Sequence, residues 1–151
     1  MNIRKIEPRD IPNVNAICMN SFMESVAPTL SEEGISTFQG IASIENFTSR
    51  MLGDVEILIY ENNDNVIGVV ELKGSSHISM LFVSPDSQNK GVGRSLISAI
   101  IPYTTSETLT VSAALTSIEA YLNYGFKFSG DASETSGLKY QPMELELNKG
   151  V

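Results

Sequence analysis

Residues 81–96 read Leu81-Phe82-Val83-Ser84-Pro85-Asp86-Ser87-Gln88-Asn89-Lys90-Gly91-Val92-Gly93-Arg94-Ser95-Leu96, and they join two unlike patterns. From His77 to Val83 the chain is β-rich. After Ser84-Pro85-Asp86, Val92, Leu96, Ala99 and Ile100 fall on one helical face up to about Pro102. The segment is therefore a strand, a glycine-bearing loop and a helix. Glycines at 91 and 93 let backbone N–H groups converge on an anion at the helix N-terminus, where the helix dipole favours negative charge. Lys90 and Arg94 bring two of the chain's ten Lys and Arg residues to the same place. Taken alone, the loop is equally well read as a tight turn with solvated basic side chains.

Three phosphate-binding patterns can be compared with this loop. A Walker A loop needs Gly-x-x-x-x-Gly-Lys-Ser/Thr, and no Lys-Ser or Lys-Thr pair follows either glycine. A dinucleotide fingerprint needs a third glycine where Leu96 stands, and it belongs to an N-terminal βαβ unit, not to a loop after an antiparallel meander. What fits is Gln-x-x-Gly-x-Gly from Gln88 to Gly93. A loose match of that kind arises by chance in about one chain in seven of this length, so the context has to decide.

Outward from the loop, Ile3–Ile6 reads as a short strand. Pro8-Arg9-Asp10 then opens a helix, with Asp10 as N-cap and Ile11, Val14, Ile17, Cys18 and Phe22 at helical spacing. Between Leu30 and Leu52 the positions Ile35, Phe38, Ile41, Phe47 and Met51 predict one or two helices broken near Gly40. Val55–Tyr60 and Val66–Leu72 flank Asn62-Asn63-Asp64-Asn65 and predict a hairpin. Gly74-Ser75-Ser76 then turns the chain into the strand at His77. Leu109-Thr110-Val111 is a further strand. Thr116-Ser117-Ile118-Glu119 has the form of a capping box for a helix to about Tyr124, with Gly125 at its left-handed end. Phe126–Phe128 and Lys139–Leu147 close the chain as strands, the second alternating Met143, Leu145 and Leu147 with Glu144 and Glu146. The order predicts a mixed α/β sheet flanked by helices.

The 151 residues suit one domain, 1–151, and 42% apolar content is enough for a sizeable core. A net charge of -8 argues against nucleic acid as a partner, because phosphate neutralisation needs clustered cations. The single cysteine, Cys18, excludes an intrachain disulfide and a cysteine-cluster metal site, and no metal is expected. Its helical neighbours make it a packed thiol. No apolar run approaches the roughly 18 residues of a membrane span. The start of the chain carries no uninterrupted apolar leader segment, so a cytoplasmic protein is expected.

The stretch Leu81–Leu96 resembles the coenzyme A loop of GNAT-type N-acetyltransferases, in which an apolar strand ends five residues before the Gln or Arg, as Val83 does before Gln88. A second segment, Tyr121-Leu122-Asn123-Tyr124-Gly125-Phe126, is similar to that superfamily's Tyr-x-x-x-Gly-Phe, and the ending Gly137–Leu145 resembles the last strand of small members. The resemblance covers nearly the whole chain and is weakest over residues 20–52. It implies that the strand before the loop splays from its neighbour and that pantetheine lies in the opening. Backbone groups of Leu81, Phe82 and Val83 would pair with it like an added strand. The N–H groups of Gln88, Asn89, Lys90, Gly91, Val92, Gly93 and Arg94 would hold the pyrophosphate, and a β-carbon at Gly91 or Gly93 would obstruct it. Acetyl-CoA is then the donor and an amine the acceptor, with a homodimer common among similar proteins.

Acetyl transfer from a thioester to an amine needs a neutral amine, a polarised carbonyl and a proton for the departing thiolate. Resemblance makes Tyr121 the acid, a phenol whose ordinary pKa is about 10, while Tyr124 reads as packing. The base is open. In the histone-acetylating branch of the superfamily that the chain resembles, a glutamate stands six residues before the strand's last apolar residue. Counted from Val83 that position is His77, the only histidine, and this role competes with a partly exposed strand-end one. Glu71 on the neighbouring strand is the second candidate, against a reading as a solvated carboxylate. The family often has Asn-Ala where Thr116 and Ser117 stand, so a side-chain contact that Asn would make to pantetheine is not expected from the resemblance, while Thr116 can still cap the helix. Glu24, Glu32 and Glu33 lie in the variable region and suggest a small cationic acceptor or a lysine side chain. Solubility alone would also explain them. The alternative to an enzyme is a catalytically silent acyl-CoA-binding module.

Overall fold

The computed structural model describes residues 2–147; Met1 and residues 148–151 of the expected domain lie outside them. Strand β1 (Asn2–Lys5) leads into a 3-10 turn at Pro8–Asp10 and helix α1 (Ile11–Ser25). The Asp10 side chain does not cap α1. Its carboxylate accepts from the Glu7 backbone N–H at 2.8 Å and from two Arg4 nitrogens at 2.8 and 3.0 Å, so it closes the turn before the helix and ties that turn to β1. Helices α2 (Glu32–Ile41) and α3 (Ile44–Met51) follow. The break falls at Ala42–Ser43 and not at Gly40, because Ser43 accepts from the Asn46 N–H at 3.1 Å and starts a new helix there.

Strands β2 (Val55–Asn62) and β3 (Asn65–Lys73) form the expected hairpin. Its two-residue turn places Asn63 at φ 52° and Asp64 at φ 65°, the left-handed pair that matches strand twist. Strand β4 (His77–Val83), helix α4 (Val92–Ile100) and strand β5 (Thr108–Ala114) come next. Helix α5 is short (Ile118–Asn123) and follows a 3-10 turn at Leu115–Ser117. The capping box expected at Thr116–Glu119 is not formed, because Thr116 lies inside that turn and Ser117 makes no side-chain cap. Gly125, at φ 102°, does terminate the helix as expected. Strands β6 (Lys127–Phe128), β7 (Ser133–Thr135) and β8 (Leu138–Glu146) finish the chain.

The sheet order is β1-β2-β3-β4-β5-β8-β6, with β7 also on β8, and all pairs are antiparallel except β4 with β5. Side-chain alternation buries one core on each face. Leu58, Val70, Leu72 and Ile78 pack under α4 and α5, while Ile57, Ile59, Val69 and Met80 pack under α1, α2 and α3. Ile78 and Met80 are two residues apart yet lie on opposite faces. The cause is a β-bulge: Leu72 pairs with Ile78 and Glu71 with Met80, so Ser79 is the extra residue. Among the described residues, no helix is long and apolar enough to cross a membrane.

Helix α2 is held against the β7–β8 turn by a backbone approach that only glycine allows. A β-carbon on Gly34 would run into the Gly137 carbonyl, and Gly137 itself sits at φ 82°. Thr37 Oγ1 donates to the Ser136 carbonyl at 2.8 Å beside this contact. Gly34→Ala and Gly137→Ala are each expected to destabilise by about 1–3 kcal/mol through overpacking, a fall of about 3–10 °C in melting temperature. Gly40→Ala, with open space around the added carbon, should instead leave stability unchanged or raise it by about 0.5–1 kcal/mol. Calorimetric melting of the three variants checks both signs.

Candidate active site

The site begins where β4 leaves β5. The two strands are paired only at His77–Thr110 and Ile78–Val111, and beyond the bulge at Ser79 they part. This is the splay that the resemblance implies. Ser84 N–H donates to the Ile67 carbonyl, so hydrogen-bonded pairs with β3 alternate from there. Phe82 thus directs its backbone groups to Val69, whereas Leu81 and Val83 direct theirs into the opening. Phe82 is therefore not available as a main-chain partner for a ligand. Its ring instead packs edge-on against Phe38 at 5.3 Å. The Val83 carbonyl accepts from Ser21 Oγ at 2.8 Å and from Gln88 Nε2 at 3.1 Å, so the Gln88 side chain folds back across the opening.

At the wide end of the opening stands the N-terminus of α4. Gly91 has φ 82° and Asn89 φ 63°, and this turn aims the first N–H groups of the helix outward. No side chain caps the helix and no acid lies in its first turn. Those N–H groups, together with exposed Lys90, fit a pyrophosphate. The two glycines serve different needs. An added carbon at Gly91 meets nothing, so that residue is required by its backbone angle. An added carbon at Gly93 would strike the Tyr124 hydroxyl, so Gly93 is required by packing between α4 and α5. Arg94 donates to the Asn123 carbonyl at 2.6 Å and lies 5.6 Å from the Tyr124 ring centroid. Tyr124 is half-buried, and burial raises its phenol.

Two cavities meet across the opening. One, of about 440 Å³, runs past Val83, the 87–94 loop, Thr116 and Ser117. The other, of about 620 Å³, lies between α1, α2, β4 and the β7–β8 turn. Tyr121 lines both, and burial pushes its phenol well above the ordinary range. Its ring is wedged edge-on against Phe126 at 5.3 Å and Tyr124 at 5.8 Å. Among the described residues its hydroxyl has no hydrogen-bond partner. Thr116 and Ser117 still face the first cavity, so polar side chains remain where the family has Asn-Ala.

His77 faces the second cavity. Its Nδ1 lies 2.7 Å from Thr110 Oγ1, which in turn reaches the Ser76 carbonyl at 3.3 Å. Burial first, and Lys73 second, lower its pKa, so the ring is neutral at pH 7. Glu71 is not the solvated carboxylate expected of it. It is 2% exposed, accepts from Arg50 Nε at 2.7 Å and from Ser79 Oγ at 2.8 Å, and does not line either cavity. Cys18 is fully buried, and desolvation pushes its thiol up to about 12, as suits a packed residue. Glu24, Glu32 and Glu33 are exposed and line neither cavity, because α1 and α2 turn Phe22 and Phe38 inward instead. Of residues 20–52, Phe22, Val26, Leu30, Thr37, Phe38 and Ile41 line the larger cavity, and all of these but Thr37 are apolar.

Sequence reasoning missed Ser21, Arg50, Ser79, Lys73 and the β7–β8 turn. Only the last left a local signal, in Ser136-Gly137. Arg50 also donates to the Ile41 carbonyl at 2.8 Å, so one guanidinium joins α2, α3 and β3 behind the bulge. Arg50→Met strands a buried carboxylate and is expected to destabilise by about 3–5 kcal/mol, read from the urea midpoint.

The chain matches the acetyltransferase (GNAT) domain model over residues 26–147. A GCN5-related N-acetyltransferase from Rhodopseudomonas palustris shares 26% identity and superposes with a TM-score of 0.84, over 97% of this chain and 95% of that one. The PaiA N-acetyltransferase of Thermoplasma acidophilum, solved with coenzyme A, shares 21% identity at a TM-score of 0.76, over 96% and 98%. A ribosomal-protein-alanine N-acetyltransferase from Brucella melitensis shares 19% at 0.71, over 97% and 100%. The last two likenesses show the fold. No curated protein matches the sequence. With its splayed β4–β5 pair and the family model spanning most of its length, the chain belongs to the GNAT acetyltransferases and is an N-acetyltransferase that uses acetyl-CoA.

Proposed function

We propose that the chain is a single domain that transfers the acetyl group of acetyl-CoA directly to the primary amine of a small molecule held in the 620 Å³ cavity. The observation that carries this reading is the unpartnered Tyr121 hydroxyl at the junction of the two cavities. The thioester supplies an activated acetyl group. Leu81 and Val83 backbone groups, with Gln88 moved aside, hold the pantetheine arm, while the N–H groups of residues 88–94 and the Lys90 side chain hold the pyrophosphate. Arg94, already engaged with Asn123, contributes charge at the rim.

Direct transfer forms a C–N bond and breaks a C–S bond, so one proton must leave the amine and another must reach the sulfur. Tyr121 donates the second, and burial, which raises its phenol, keeps it protonated at neutral pH. His77 accepts the first. With Nδ1–H donated to Thr110 and the Thr110 hydroxyl directed to Ser76, the lone pair of the ring stands on Nε2. Glu71 acts behind the site by holding Ser79 and the bulge, and it does not serve as base because Arg50 already occupies it.

Tyr121→Phe keeps the ring contacts and removes only the hydroxyl. It should lower kcat by about 10²–10⁴-fold in a thiol-release assay while calorimetric affinity for acetyl-CoA stays within about threefold. An unchanged kcat would remove Tyr121 as the acid. The acid limb of kcat/KM should be governed by a group below 6.5, because protonating Nε2 ends its action as base and the His77 pKa is lowered. Loss of that limb in His77→Ala, with a lower plateau, is the expected result; an identical profile would exclude the assignment.

A further inference from the structure

The 620 Å³ cavity has a composition that the net charge of the chain does not foretell. Among the described residues, no Asp or Glu lines either cavity, although the chain carries 18 of them. Two lysines, Lys73 and Lys139, do line the larger one. Lys73 is paired with His77 across β3 and β4 and acts electrostatically on it, so a cation stands beside the proposed base. Glu134 stands opposite Lys139 in the β7–β8 pair but lies outside the cavity lining. The opposite side of the cavity is aromatic: Phe22 and Phe38 stack at 4.0 Å, and Phe82 meets Phe38 edge-on.

A polyamine or a lysine side chain brings one or more further positive charges, and transferring a cation to such a wall leaves it without a counter-ion. A substrate with an apolar body and a carboxylate has the complementary chemistry. Resting on the acetyl-transfer reading above, we propose that the acceptor is an amine borne on an apolar or aromatic body that also carries a carboxylate, as in an α-amino acid with an apolar side chain. The aromatic face takes the body, Lys73 and Lys139 take the carboxylate, and the amine is left between His77 and Tyr121. Lysine cations around the carboxylate also disfavour the ammonium form of the α-amine, which leaves more of it neutral for attack.

The test compares L-phenylalanine, L-phenylalaninamide, phenethylamine and spermidine in thiol release at fixed acetyl-CoA. L-Phenylalanine should exceed its amide by at least about tenfold in kcat/KM, since an unpaired or missing charge partner changes discrimination on that scale. The double variant Lys73→Gln/Lys139→Gln should bring that ratio close to one. Spermidine as the best acceptor, or equal rates for acid and amide in the wild type, would overturn the inference. Should acetyl-CoA bind and no amine react, the transfer reading fails, and thermal melting in the presence of coenzyme A still decides the pocket chemistry. Stabilisation by N-acetyl-L-phenylalanine that the double variant loses would uphold it. Stabilisation by N-acetylspermidine alone, or by neither, would overturn it.

Discussion

Everything at this site depends on two strands that start together and then separate. Parallel strands normally remain paired along their length, because each unpaired N–H and C=O group lost to a dry interior is expensive. Here β4 and β5 keep two residue pairs and part at an extra residue, Ser79. The bulge is fixed from behind. Ser79 Oγ donates to Glu71, Glu71 is neutralised by Arg50, and Arg50 reaches back to the end of α2. A buried carboxylate in the centre of a sheet would be a liability without that guanidinium. With it, the pair holds the extra residue in place and leaves the main-chain groups of Leu81 and Val83 facing an opening in which an extended ligand can replace the missing strand.

The two ends of the opening are built on different physical bases. Toward α4 the surface is polar main chain: an uncapped helix N-terminus, a left-handed Gly91 and a nearby cation. Such a surface recognises charge and shape without much reliance on side-chain identity. Toward α2 the surface is apolar side chain from helices whose outer faces carry the acids. Tyr121 lies where they meet, wedged by Phe126 and Tyr124, and Tyr124 in turn occupies the space that Gly93 leaves open. The glycine loop and the helix that bears Tyr121 are therefore packed as one unit.

Much of this was legible along the chain. The hairpin at Asn63-Asp64, the strand from His77 to Val83, the glycine loop, the helix after it and the left-handed end at Gly125 depend on residues within a few positions of one another, and local pattern reports them. The elements that were missed depend on partners that the local pattern does not report. Asp10 looks like a cap until Arg4 claims its carboxylate, and Glu71 looks solvated until Arg50, 21 residues earlier, covers it. The bulge at Ser79 cannot be seen from alternation, because the alternation resumes on either side of it. The α2–turn contact joins Gly34 to Gly137, and neither glycine announces the other.

The sequence by itself determined the order of strands and helices, the strand–glycine loop–helix unit and the presence of Tyr121 at the right distance after it, since spacing along a chain is enough to specify them. Tertiary structure alone decided which charges matter. A count of 18 acids against ten bases suggested an acidic acceptor side, yet the acids of α1 and α2 face outward and the larger cavity is lined by aromatic side chains and two exposed lysines. Net charge sums over the whole surface, whereas a cavity is lined by whichever faces packing turns inward, and burial of Phe22 and Phe38 settled that orientation before charge could.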